Sequence, residues 1–372
     1  MAGAERPDGA RQGGRGLTAG AGAAAAEALE LFAADGAFRA LDDYLADAGF
    51  WGGEDLAADL YLGYGLSEVL RRDSSPPPPE ACPLPLLACR IGRCPGTRSR
   101  DMAGYDIGAW EPTWAPADYA AAVDAVRAAI ARGDVYQVNL VQHLSAPFAG
   151  DPHALAGAIA PLRPLHPRPF VGDGWAVVSA SPELFLARRG RRVWTKPIKG
   201  TRPLGSTGLA DAEKDRAEHV MIVDLERNDL SRVCERGTVR WPELMLEREL
   251  AGVTHLVSTV EGRLREDIGL AELLEATFPG GSITGAPKIS AVDHIAALEP
   301  VGRGASMGAL GRLRSNGDLD LALTIRTFAI ADDTIHLWVG GGIVWDSEPE
   351  DEIEESWVKA RPLLHALDAR AA

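Results

Sequence analysis

The stretch from Lys196 to Pro203, KPIKGTRP, sets Lys199 between Ile198 and Gly200. Proline fixes φ and glycine frees it, so this is a stiff turn and not the interior of a helix. An amine fixed in that way can serve as a nucleophile or grip an anion, whereas a lysine on a plain surface turn needs no such scaffolding. Two acidic pairs, Asp215 with Glu218 and Glu352 with Glu355, are spaced i,i+3, so each pair shares one face of a helix. Alone, each pair is an ordinary solvated acidic face. If both faces met in one cleft, the like charges would repel unless a cation lay among them. Oxygen-only donors suit Mg2+, which keeps several waters and takes one or two carboxylates together with an anionic substrate. Gly280 to Lys288, GGSITGAPK, is not a phosphate loop, because Pro287 replaces its glycine and no Ser or Thr follows the lysine. It is either a ligand-adjacent helix start or a site of close packing. GRCPG at 92–96 has the outline of a nucleophile elbow, but Pro95 lacks the N–H that the oxyanion hole uses.

The elements that must position these residues are legible from Ala115 onward. DYAAAVDAVRAAIARGD reads as a helix stopped at Gly133, and VYQVNLVQHL as a strand. WAVVSASPELFLARRGRRVWTKPI reads as a hairpin turning at Gly190, its four arginines a solvated tip. A helix is expected from about Asp211 to Leu225, then strands around Val239 and over THLVSTVEGRL, then helices over AELLEATF and APKISAVDHIAALE. Ala309 to Trp345 reads as a meander turning at Asn316-Gly317 and Asp332-Asp333. A last helix opens at Ser347, with Glu350 at capping-box spacing. Hairpin runs with helices between them indicate an α+β fold with largely antiparallel sheets. We divide the chain into a Gly/Ala/Arg tail at 1–26, an N-terminal region at 27–114 with a polyproline spacer at 73–80, and a catalytic domain at 115–372.

Composition narrows the function. The 38 basic against 53 acidic residues give a net charge of −15, which argues against nucleic acid as a partner. No apolar run reaches membrane-spanning length, and the N-terminal alanine run lacks the apolar core of a secretory signal. Four cysteines, three of them at 82, 89 and 94, match neither a disulfide framework nor a zinc pattern, so a reducing cytoplasm is the expected compartment.

PIKGTRP, EHVMIVDLERNDL, THLVSTVEGRL, FPGGSITGAPK, ALTIRT and GGGIVWDSEPEDEIEES together resemble, in order, the motifs of the chorismate-utilising enzymes. The resemblance covers roughly residues 115–367 and implies an α/β sandwich, two antiparallel sheets enclosing the site with helices outside. It implies chorismate as substrate and Mg2+ as cofactor, with Glu218 and Glu355 as direct metal ligands and Asp215 and Glu352 acting through water. It assigns Gly200, Thr201, Arg326, Gly340, Gly341, Gly342 and Lys359 to the substrate carboxylates, and His255 to the active site. Without it, Arg326 reads as a strand salt-bridge residue, Lys359 as the i,i+4 partner of Glu355, and Glu183 as a strand-edge carboxylate. Anthranilate synthases generally carry Pro-Ile-Ala-Gly-Thr where this chain has PIKGT, which is the aminodeoxychorismate synthase form. That implies a covalent role for Lys199, whose amine must be neutral to attack, with Glu183 protonating the leaving hydroxyl. It also implies ammonia supplied by a class I glutamine amidotransferase subunit. Anthranilate or isochorismate formation is the alternative chemistry, and a catalytically weak binding or regulatory homologue the alternative class. One departure stands out: Ser306, followed by Met307, occupies the place where the family commonly has an aromatic residue ahead of a GALG-type run.

Overall fold

The computed structural model describes residues 28–93, 104–203, 208, 213–250 and 253–368, without the side chains at 201–203, 213–215, 250 and 253. Cys94, Pro95 and Gly96 of GRCPG and the 1–26 tail lie outside the described residues, as do the side chains of Thr201 and Asp215. The first sheet has ten strands: β1 (Ala28–Leu31), β2 (Leu56–Leu62), β3 (Leu87–Arg93), β9 (Leu184–Arg189), β10 (Arg192–Lys196), β11 (Ile198–Pro203), β12 (Arg240–Leu250), β13 (Val253–Arg263), β15 (Ala309–Arg314) and β16 (Leu319–Leu323). Their order is β1-β3-β2-β15-β16-β9-β10-β13-β11, with β12 also on β13. The second sheet has eight: β4 (Tyr105–Ile107), β5 (Glu111–Pro112), β6 (Gln137–Gly150), β7 (Phe170–Val171), β8 (Trp175–Ser179), β14 (Gly285–Ala286), β17 (Thr327–Ala331) and β18 (Thr334–Ile343). Its order is β14-β6-β18-β17-β8-β7, with β4 and β5 also on β6. Every ladder between these strands is antiparallel, in keeping with the hairpin-rich sequence.

Helices α1 (Ala37–Asp47), α2 (Pro116–Arg132), α3 (Pro152–Ile159), α4 (Glu213–Ser231), α5 (Leu270–Thr277), α6 (Lys288–Leu298) and α7 (Pro349–Asp368) complete the fold. One apolar core joins the sheets, with Leu186, Val193 and Leu321 of the first packed in the same cluster as Val138, Val177 and Trp338 of the second. A second core lies on the far face of the second sheet, where Leu144, Phe148 and Leu337 meet Leu155 of α3 and Leu363 of α7. That sheet is covered on both faces, which is why β17, TFAIA, is buried throughout and lacks polar alternation.

Two runs that read as single hairpins or meanders are in fact divided between the sheets. β8 lies in the second sheet and β9 in the first, so the chain crosses over at Ala180–Glu183. β16 lies in the first and β17 in the second, with the crossing at Thr324–Arg326. The crossings travel together: Leu323 N–H donates to Glu183 O at 2.9 Å, and Ala180 N–H to Arg326 O at 3.0 Å. The hairpin turn at Gly190 is present, and Asp332 and Asp333 both take positive φ (49° and 55°), as a type I′ turn requires. α4 runs to Ser231, past the expected Leu225, because no glycine or proline intervenes before Gly237. α7 starts at Pro349. In place of the expected pairing with Glu350, the Ser347 hydroxyl accepts Val344 N–H at 3.0 Å and donates to Glu352 Oε1 at 2.6 Å. No helix among the described residues is long and apolar enough to cross a membrane.

Candidate active site

Glu183 and Arg326 sit in the seam where the strands change sheets, and Lys199 reaches the same place from β11. Gly200 takes φ +63°, and the ladder to β13 shifts register between Lys199 and Arg202. Glycine adopts that left-handed conformation without a Cβ penalty, so the bulge behind Lys199 is written into the sequence. Lys199 is half-buried, and its Nζ donates to Ser282 O at 3.4 Å. Glu183 is buried, and its Oε1 accepts the Ser282 hydroxyl at 2.9 Å and Ile198 N–H at 3.4 Å. Burial raises the pKa of Glu183 and wins over the Ser282 hydrogen bond and the Lys199 charge, which act the other way. The carboxyl therefore holds its proton to higher pH than a solvated glutamate. Arg326, with φ 51°, makes no ion pair among the described residues, so the strand salt bridge is not its role here. The Glu183 charge acts on it across the seam.

His255 is buried on β13 and its Nδ1 lies 2.7 Å from Gly200 O. A carbonyl can only accept, so Nδ1 carries the proton. Burial pushes its pKa down to about 4, helped by the charges of Arg326 and Lys359 and opposed by the Gly200 bond, which leaves a neutral imidazole. These two cations tie the seam to the glycine-rich end of β18. A methyl group added at Gly341 would lie 3.2 Å from both Glu352 Oε2 and Glu355 Oε1, and 3.5 Å from Lys359 Nζ. Lys359 bonds both Glu355 Oε1 at 2.7 Å and Gly340 O at 2.8 Å, so the i,i+4 pair also staples α7 to β18. The three glycines answer to different neighbours: an added Cβ would meet Leu140 O at 1.9 Å from Gly340 and Gln137 Nε2 at 2.3 Å from Gly342.

Glu218 is half-buried on α4, which packs against β11 and β13, the strands of Lys199 and His255. The described residues hold no close group of three or more His, Cys, Asp or Glu side chains. The donors that do gather, Glu352 and Glu355, are oxygen-only and lie against a glycine with no Cβ to fill the space. Such a donor set fits a hard dication that completes its shell from water and substrate oxygens.

The sequence reading missed three participants. Ser282 links the Lys199 amine to the Glu183 carboxyl; the glycine-rich run around it was the available signal. His219 on α4 is fully buried, 2.6 Å from Ser258 Oγ through its Nε2, and burial with the nearby Lys199 charge pushes its pKa down to about 4. Glu226 is buried and accepts Gly281 N–H at 2.9 Å. Ser306 is fully buried, and its hydroxyl has no partner among the described residues. Met307 beside it takes φ 61° and donates its N–H to Thr324 O in the seam.

The family model described as chorismate binding enzyme matches residues 89–365. The chain is 45% identical over 264 residues to anthranilate synthase component 1 of Thermus thermophilus, covering 68% of this chain and 56% of that one. It is 42% identical over 274 residues to aminodeoxychorismate synthase component 1 of Klebsiella aerogenes, covering 70% and 60%. It thus spans less than two thirds of the length of these curated relatives. Among solved structures, anthranilate synthase component I from Streptococcus pneumoniae superposes with a TM-score of 0.75 at 26% identity, covering 86% of this chain and 84% of the other. The menaquinone-specific isochorismate synthase MenF from Escherichia coli, at TM-score 0.68 and 18% identity over 91% and 84% of the chains, shares the fold.

Proposed function

The chain belongs to the chorismate binding enzyme family, and on that premise we propose that it aminates chorismate to 4-amino-4-deoxychorismate. The observation that carries this reading is the pairing of Lys199 and Glu183 across one residue: Ser282 accepts from the amine at 3.4 Å and donates to the carboxyl at 2.9 Å. In the reaction, the neutral Lys199 amine forms a bond to ring C2 while both ring double bonds shift and the C4–oxygen bond breaks. Glu183 gives its proton to the departing hydroxyl, which leaves as water, and the resulting carboxylate can take the proton released by the alkylated amine. Ammonia then bonds to C4, both double bonds shift back, and the Lys199 nitrogen leaves C2 as an amine that takes the Glu183 proton, while the ammonia-derived nitrogen gives a proton back to Glu183. Burial of Glu183 serves the first half, because the acid must arrive protonated. Arg326 and Lys359, with the backbone at Gly200, Thr201 and Gly340–Gly342, would hold the two substrate carboxylates by charge-assisted and backbone bonds. Neutral His255 would keep the Gly200 carbonyl in place through its Nδ1–H.

A Mg2+ held by Glu218 and Glu355, with Asp215 and Glu352 through water, would neutralise one substrate carboxylate. Ammonia would come from a class I glutamine amidotransferase subunit. Burial pushes the thiols of Cys82 and Cys89 up to about 12 and that of Cys234 to about 11, the opposite of an activated glutaminase nucleophile. Anthranilate formation is the second reading, favoured by the 45% identity to an anthranilate synthase component; Lys199 speaks against it. Incubation with chorismate, Mg2+ and ammonium, with the product identified by mass and absorbance, tests the assignment. 4-Amino-4-deoxychorismate is expected; anthranilate as the product would refute it, and chorismate binding without turnover would point to a binding homologue.

A further inference from the structure

We propose that Glu226 is a positioning residue for this site: by accepting Gly281 N–H it holds Ser282 against both the Glu183 carboxyl and the Lys199 amine. The inference rests on the functional reading above and extends it to a residue outside the substrate pocket. Ser282 lies in the single helical turn Gly281–Ile283, and a buried ionisable side chain grips each flank of that turn. On one flank Glu226 Oε1 takes Gly281 N–H at 2.9 Å. On the other, Arg303 Nη1 donates to Ile283 O at 2.9 Å and is itself held by Glu299 at 2.6 Å. A buried acceptor is costly to remove without a substitute, since the donor it leaves behind stays desolvated. Loss of the Glu226 oxygen would therefore free the turn at Gly281, next to Ser282.

The groups facing Glu226 are Asp229 on its own helix, Lys288 from α6 and Glu183 from the seam. Lys288 does not neutralise it, being bonded to Asp229 at 2.5 Å and to Thr277 O at 3.2 Å. Burial and the Asp229 charge push the Glu226 pKa up to about 8, so near neutrality the side chain is largely a protonated acid that accepts through its carbonyl oxygen. Glutamine copies that state and leucine removes the acceptor at similar volume, which makes the pair diagnostic.

The test compares Glu226→Gln and Glu226→Leu with the wild type, by amide exchange of peptides covering 278–286 and by steady-state kinetics with chorismate, Mg2+ and ammonium. Glu226→Leu is expected to speed exchange at Gly281 about tenfold or more. It should lower kcat about tenfold or more, with KM for chorismate changed by less than about threefold. Glu226→Gln should stay within about twofold of the wild type in all three. Wild-type kcat in the leucine variant, or a glutamine variant as impaired as the leucine variant, would overturn the proposal. If the leucine variant does not fold, Glu226→Ala takes its place. If the wild type itself does not turn chorismate over, the functional reading falls and the exchange arm decides alone: unchanged Gly281 exchange in the acceptor-less variant rejects the positioning role, and faster exchange restored by glutamine upholds it.

Discussion

Glu183 and Lys199 illustrate how one seam can ask opposite things of two groups: the carboxyl must keep a proton and the amine must shed one. For Glu183 the direction is fixed by burial, which outweighs the Ser282 bond and the neighbouring cations. Its acid form survives above the ordinary value of 4.5, and activity should fall only as pH rises through the elevated pKa. Glu183→Gln, which keeps the shape and removes the proton, should lower kcat about 10²–10⁴-fold with KM little changed, as measured by initial rates on chorismate. A glutamine variant retaining most of the rate would remove the general acid. Glu226 makes a separate stability prediction. Its folded pKa, about 8, lies above the ordinary 4.5, so the folded protein binds the extra proton between these values. The associated stability is fully present below 4.5 and is lost as pH rises through about 8. The melting temperature of the wild type should therefore decline between about pH 5 and 8 more steeply than that of Glu226→Gln. Parallel declines would contradict the shift.

At the scale of elements, the decisive feature is that β8–β9 and β16–β17 change sheets side by side, bringing a carboxyl and a guanidinium to the junction. The glycines of β18 set the other wall and separate two kinds of requirement. Gly340→Ala drives a Cβ to 1.9 Å from Leu140 O, a backbone atom that can move only with β6. It should cost about 1–3 kcal/mol of stability in denaturant titrations. Gly341→Ala meets only the ends of Glu352, Glu355 and Lys359. It should leave the denaturation midpoint nearly unchanged and weaken the Mg2+ dependence of turnover; equal destabilisation in the two variants would contradict this division. The strands, their turns at Gly190 and Asp332-Asp333, and most helices were legible because alternation and turn chemistry are local signals. The sheet changes were not, because hydrophobic patterning runs through SASPE and LTIRT without a break that marks them. Ser282 and Glu226 were overlooked for a related reason. A serine among glycines and a glutamate in an acidic helix look solvated until the fold buries them.

The whole molecule is organised around its inter-sheet core, and the N-terminal residues are part of it. β2 pairs with β15 across six register positions, and Leu41, Leu60, Tyr61 and Leu62 are fully buried in the cluster that joins the sheets. A chain beginning at residue 115 would expose the β15 edge and lose these side chains. It should show no cooperative thermal unfolding by circular dichroism, whereas a sharp transition would establish 115–372 as an autonomous unit. This dependence is hard to read from the sequence, since β1 to β3 are short strands separated by α1 and by proline-rich chain. What the assembled molecule achieves is a half-buried amine and a buried acid meeting at one serine. The most direct test of that claim is the intact mass of the enzyme quenched after mixing with chorismate and Mg2+ in the absence of ammonium. The expected result is an adduct of one chorismate less one water, mapped by proteolysis to Lys199, released on adding ammonium, and absent from Lys199→Ala, which should not form product. Full turnover by Lys199→Ala, with no adduct on the wild type, would contradict the account.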